Sequence, residues 1–140
     1  MKKITLLLVG LMASGVASAE SVVLTGSSNP VGNAICTLLN EDVSINLSNN
    51  VVGGVECTDV GISIAACHTA GRIATRTQDV ETCTTATPPV CTTAPASVTG
   101  ASVAYATTAK GTVTNDYPGT TCDDEAATAA GVATDKVPTL

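Results

Sequence analysis

Val43, Ile45 and Leu47 alternate with Ser44, Asn46 and Ser48, which is the cleanest periodic signal in the chain. A period of two puts the three aliphatics on one face of a strand and the polar side chains on the other. Asn49-Asn50 marks a turn, and Val51-Val52-Gly53-Gly54-Val55 resumes as a strand, bulged or bent at its glycine pair. Upstream, Glu20–Thr25 (ESVVLT) predicts a short strand ended by the turn-rich Gly26-Ser27-Ser28-Asn29-Pro30. Ala34–Leu39 is apolar but too short to predict a helix, and Asn40-Glu41-Asp42 breaks it. These segments predict an antiparallel meander.

The alternation continues through Val60, Ile62, Ile64, Ala66 and His68, with Gly61, Ser63, Ala65 and Cys67 on the other face. After Thr69-Ala70-Gly71 it restarts, with Arg72, Ala74 and Arg76 opposite Ile73, Thr75 and Thr77. This predicts a hairpin of 60–68 against 72–78. A short helix is the rival, since Ile62, Ala65, Ala66, Thr69 and Ile73 also share a helical face. Gly71 and the β-branched residues favour the hairpin.

Past Ile73 no Ile or Leu occurs until Leu140. Residues 84–97 are rich in Thr, Pro and Ala, and predict an extended, prolyl-stiffened connection pinned by Cys83 and Cys91. Residues 98–114 hold one or two Val/Thr/Ala strands with Tyr105 as the largest side chain, and Tyr117-Pro118-Gly119 is a turn. Asp123-Asp124-Glu125 before Ala126–Gly131 predicts one short helix, with acids at its positive end and glycine at its close.

The N-terminus carries a different pattern. Lys2 and Lys3 precede the apolar run Ile4–Met12, and Ala17-Ser18-Ala19 supplies a small-x-small cleavage site. The run falls well short of the roughly 20 residues that span a bilayer. Residues 1–19 are therefore expected to be a removed export signal of bacterial type, cut between Ala19 and Glu20. The expected division is a signal at 1–19, one disulfide-stapled β domain at 20–131 and a loose tail at 132–140. Periplasm or exterior is the expected location, with no membrane insertion after signal removal.

Removal of the signal leaves 140 − 19 = 121 residues, with twelve acids against Arg72, Arg76, Lys110 and Lys136, so the charge is 4 − 12 = −8. A chain this acidic repels nucleic acid, and nucleic-acid binding is set aside. It then contains no Met, Phe or Trp, while Thr (22), Ala (17) and Val (15) dominate. Such side chains bury little apolar area each, so the core is thin. Six cysteines (Cys36, Cys57, Cys67, Cys83, Cys91 and Cys122) supply the remedy as a disulfide set suited to an oxidising compartment. Their connectivity is one of fifteen and is left open. The expected fold is mainly β: a small disulfide-stapled antiparallel β-sandwich or meander with one short C-terminal helix.

The chemistry concentrates between Cys57 and Cys91, which holds four cysteines, the only histidine (His68) and both arginines. Cys67-His68 is no haem attachment, because residue 64 is Ile, and the closest cysteines are eight apart, against a zinc spacing of about two to four. Neither a metal nor a cofactor is expected. By parity His68 follows Val60, Ile62 and Ile64, and is expected to be a partly buried, hydrogen-bonded strand-end residue rather than a base. Arg72 and Arg76 share a face and are possible contacts for an anionic partner, although pairing with Asp79 or Glu81 is the plainer expectation. Asp123-Asp124-Glu125 lacks a calcium-loop pattern, and no G-x-S-x-G elbow occurs.

The composition is similar to that of bacterial fimbrial and coat subunits, through composition alone. The leading expectation is a non-enzymatic secreted structural or interaction protein of surface, matrix or appendage type, with a protein partner or self-assembly through a strand edge such as Glu20–Thr25. The alternative is a periplasmic or extracellular binding or inhibitor module using Thr69–Arg76 or Thr84–Ser97. A third is a small hydrolase or redox enzyme that depends on His68 or a free cysteine.

Overall fold

The computed structural model describes residues 20–86, 88, 90–123 and 126–139. The expected signal and the Ala19 side of its cleavage site lie outside the described residues. Among the described residues nine strands precede one helix: β1 (Glu20–Thr25), β2 (Asn29–Val31), β3 (Val43–Ile45), β4 (Val51–Cys57), β5 (Ile62–His68), β6 (Ile73–Cys83), β7 (Cys91–Ala101), β8 (Val103–Thr107), β9 (Val113–Asp116) and α1 (Ala127–Lys136). Five of the strands form one antiparallel sheet in the order β1-β4-β5-β8-β9, while β2 pairs with β3 and β6 with β7. The main sheet is thus a meander with two hairpin excursions. The fold is mainly β and antiparallel, with three disulfides and one short C-terminal helix.

Each face of that sheet has its own cover. On one face Val52, Ala65, Cys67, Val103 and Tyr105 meet Ala129, Val132 and Ala133 of α1. On the other, Leu24, Val55 and Cys57 meet Val31, Cys36, Leu39, Ile45 and Leu47 from the β2–β3 excursion. A disulfide staples each cover to its face. Cys36–Cys57 ties the loop after β2 to the end of β4, and Cys67–Cys122 ties the segment before α1 to β5. The largest fully buried side chains are Leu24, Glu56, Val103, Cys36 and Ser63, so these covalent ties compensate for little apolar bulk.

The helix is set by its neighbours more than by its own sequence. Asp123 Oδ1 accepts the Ala127 N–H at 2.8 Å, and its Oδ2 accepts the Thr128 hydroxyl at 2.7 Å and the Thr128 N–H at 3.1 Å. These bonds satisfy donors that open the helix. The Thr128 hydroxyl holds the Asp123 carboxyl below its ordinary range; burial opposes it next in size, and the Ala127 and Thr128 amides add to the lowering. The helix does not stop at Gly131 as expected. Gly131 is interior, and the next residues, Val132 and Ala133, are buried against the sheet. Burial of that pair outweighs the local cost of one glycine. The expected loose tail at 132–140 is corrected for the same reason. Lys136 pairs with Asp116 of β9 at 3.4 Å, and the Thr58 hydroxyl donates to the Pro138 carbonyl at 2.8 Å.

The glycine pair in β4 also differs from expectation. The β4–β5 register runs unbroken from Val51↔His68 to Cys57↔Ile62, with no bulge. Gly54 instead lets the helix approach: a Cβ there would lie 2.4 Å from Ala130 Cα.

The predicted hairpin of 60–68 against 72–78 is corrected as well. Both segments are strands, but β5 is flanked by β4 and β8 and has no free edge for β6. β6 leaves the main sheet and pairs with β7 over eleven positions, from Ile73↔Ala101 to Cys83↔Cys91. The expected prolyl connection therefore narrows to the turn after Cys83, and Cys91–Ser97 belongs to a strand. Cys83–Cys91 closes the far end of this arm.

Candidate functional site

The β6–β7 arm collects most of the sequence-nominated residues outside the core. One face carries Ala74, Arg76, Gln78 and Val80 of β6, and from it Arg76 and Gln78 reach Tyr117. The Arg76 guanidinium stands 4.5 Å from the centroid of the Tyr117 ring, and Gln78 Nε2 donates to the Tyr117 carbonyl at 2.9 Å. At the arm's base the Ala101 N–H donates to the Thr120 carbonyl at 2.8 Å, and Gly100 leaves room for the Thr120 backbone. The opposite face shows Thr75, Thr77, Asp79 and Glu81 to solvent, with Thr75 and Thr99 joined hydroxyl to hydroxyl at 2.7 Å. The arm is held at its root and open beyond it.

Arg72 precedes β6 and Arg76 lies within it, both exposed, and the expected pairing with Asp79 or Glu81 does not form among the described residues. Among the described residues neither arginine has an ion pair. The reason is parity: offsets of three and five along a strand put Asp79 and Glu81 on the face opposite Arg76. Arg76 is spent on Tyr117, an aromatic partner forty-one residues away that no local pattern announces.

His68 also departs from the expected inward parity. It ends β5 on the exposed face, where its Nδ1 accepts the Ala70 N–H at 3.1 Å. Ser63, Ala65 and Cys67 take the buried face, while Ile64 remains exposed. The smaller set is inside because α1 lies over it. The six cysteines are all paired, as Cys36–Cys57, Cys67–Cys122 and Cys83–Cys91, and none is free. Glu81, Cys83 and Cys91 cluster within 4.8 Å at the arm tip, but both sulfurs are bound to each other there. In the acidic run before α1, Asp123 is engaged in capping the helix, and Asp124 and Glu125 lie outside the described residues.

Two features escaped the sequence pattern. Glu56 is 2 % exposed, with its Oε2 accepting the Thr134 hydroxyl of α1 at 2.9 Å. Glu56 stands next to Cys57 at the end of β4, where an acid ordinarily faces water. The second is an apolar shelf of Ile64, Ala66, Ala104, Ala106 and Val113 on the half of the sheet that β2–β3 does not reach. No helix among the described residues is long and apolar enough to cross a membrane.

Set beside known protein families, curated proteins and solved structures, the chain matches none.

Proposed function

We propose that this chain is an exported bacterial structural and interaction protein, positioned at a surface, matrix or appendage, with the β6–β7 arm as its contact element. The arm carries the reading: an eleven-pair hairpin exposed along most of both strands, rooted on Tyr117 and closed by its own disulfide. A ribbon this long, with no sheet behind it among the described residues, is stable chiefly through its cross-strand pairs and its covalent tip. Its retention as an ordered projection therefore favours presentation to a partner. Three disulfides and a signal-like N-terminus support export.

Fractionation and immunogold labelling of the native source test this. Recovery in surface or matrix material, lost for Thr77→Lys and Glu81→Lys variants that fold normally, is the expected result. Recovery as a freely soluble protein, with the arm variants indistinguishable from wild type, refutes the proposal.

A further inference from the structure

The geometry points to a second function for the strand at the outer edge of the main sheet: β1 joins two copies of this chain by antiparallel pairing with itself. The edge strands of the molecule are not alike. β7 carries Pro95, which lacks an N–H, and β9 has four residues and is followed within two positions by Pro118. β6 carries Arg76, Asp79 and Glu81 along its length. Charges, prolines and shortness are the usual means of blunting an edge. β1 has six residues, no proline, no lysine and an unbroken register against β4, and its charges, the Glu20 carboxylate and the amino terminus that the expected cleavage leaves, are confined to its first residue.

The free hydrogen-bonding groups of that edge can be assigned. The Thr69 N–H donates to the Asn50 carbonyl at 2.8 Å, which fixes the even-numbered residues of β4 as those bonded to β5. The odd-numbered residues Gly53, Val55 and Cys57 then bond to Leu24, Val22 and Glu20. Ser21, Val23 and Thr25 consequently direct their N–H and C=O groups away from the sheet. Asn29 Oδ1 takes the Thr25 N–H at 3.0 Å, in agreement with this assignment. Among the described residues Ser21 and Val23 keep theirs open, and Val23 is 48 % exposed.

The partner follows from strand direction. With five antiparallel strands, β1 and β9 run the same way, so stacking copies head to tail would create a parallel junction. An antiparallel junction at β1 requires a two-fold axis, the symmetry of most homodimers. Centred on Val23, that axis sets Val23 against its counterpart and Ser21 against Thr25. The two Val23 residues exchange both backbone bonds, and each Ser21 N–H meets a Thr25 carbonyl. Leu24 and the partly buried Val22, on the opposite face, bring the two β2–β3-side cores together. Glu20 falls beyond the pairing and avoids its counterpart. This junction is independent of the β6–β7 arm, so its failure leaves the arm proposal standing and the converse also holds.

Sedimentation and light scattering of the exported chain, disulfides formed, read the outcome over a wide concentration range. A dimer is expected, with slowed amide exchange at Ser21 and Val23 that grows with concentration. Val23→Pro removes only the outward N–H, and Val23→Lys puts charge beside charge. Each should raise the dissociation constant at least about tenfold with an unchanged circular dichroism spectrum. Val113→Lys on β9 should leave it unchanged. A monomer at every concentration overturns the inference. So does a dimer that Val23→Lys leaves intact, or one weakened by Val113→Lys instead.

Discussion

Gly54→Ala is the substitution most directly tied to how α1 meets the sheet. The added methyl would sit 2.4 Å from Ala130 Cα, 2.8 Å from Ala130 N and 3.0 Å from Ala130 Cβ. Carbon atoms in contact settle near 3.5–4.0 Å, so the helix must retreat by roughly 1 Å or the strand must bend. Neither is free to move far. Cys67–Cys122 anchors the chain just before α1, and Lys136 holds its far end to Asp116 at 3.4 Å. Overpacking of this kind costs about 1–3 kcal/mol, and the unfolded chain's loss of glycine freedom returns about 0.4–1 kcal/mol. A net loss of about 1–2 kcal/mol is expected, on the order of 4 °C per kcal/mol in Tm for a domain of this size. Gly131→Ala makes the same chemical change where a Cβ meets nothing within 4 Å, inside the helix. It should stabilise by about 0.5–1 kcal/mol. Urea and thermal unfolding followed by circular dichroism, disulfides intact, measure both. Opposite signs are required; a Gly54→Ala protein as stable as the parent would refute the close helix approach.

The disulfides should separate by exposure. Cys83 and Cys91 are exposed, while the other four cysteines are at most 6 % exposed, so mild reductant with alkylation and mass spectrometry should label Cys83 and Cys91 first and leave the core folded. Loop-closure entropy assigns about 4 kcal/mol to Cys67–Cys122, separated by 55 residues, and about 2.5 kcal/mol to Cys83–Cys91, separated by 8. Cys67→Ser with Cys122→Ser should therefore lower Tm more than the corresponding pair at the arm tip. Asp123 has a depressed carboxyl pKa, so its capping contribution is present above the ordinary carboxylate range and is lost as pH falls through the depressed value. Asp123→Asn should remove part of the acid-side fall in stability measured between about pH 2 and 5, and Asp123→Ala should cost about 0.5–2 kcal/mol at neutral pH. An unchanged acid limb would contradict the cap. Arg76→Ala removes a contact of about 0.5–1 kcal/mol and should speed amide exchange along β6 and β7 with little change in β4 or β5.

Much of the local structure was legible because strand periodicity and cap chemistry act over a few residues. Glu20–Thr25, 43–48, 51–55, 60–68 and 72–78 all read as strands, each overlapping an observed strand, and the acids before Ala126 announced a helix. The arm was less legible. Thr, Pro and Ala describe a linker and an exposed ribbon equally well, since neither needs an apolar face. Its partner Tyr117 was invisible because a cation over a ring leaves no spacing rule across distant sequence.

By itself, then, the sequence determined that the chain alternates, where it turns, that its core is thin and that its cysteines form an even set. The tertiary structure decided how deeply each alternating face is buried. Isoleucines at 62 and 64 outweigh Ser63, Ala65 and Cys67 in hydrophobicity, yet the smaller set is buried. Cys67–Cys122 brings α1 to that side, and a helix backbone needs small side chains and Gly54 beneath it. Pairing was decided in the same way. A strand's period shows that it has two edges, whereas its partner depends on which edges other strands have already filled, and β4 and β8 left none on β5 for β6.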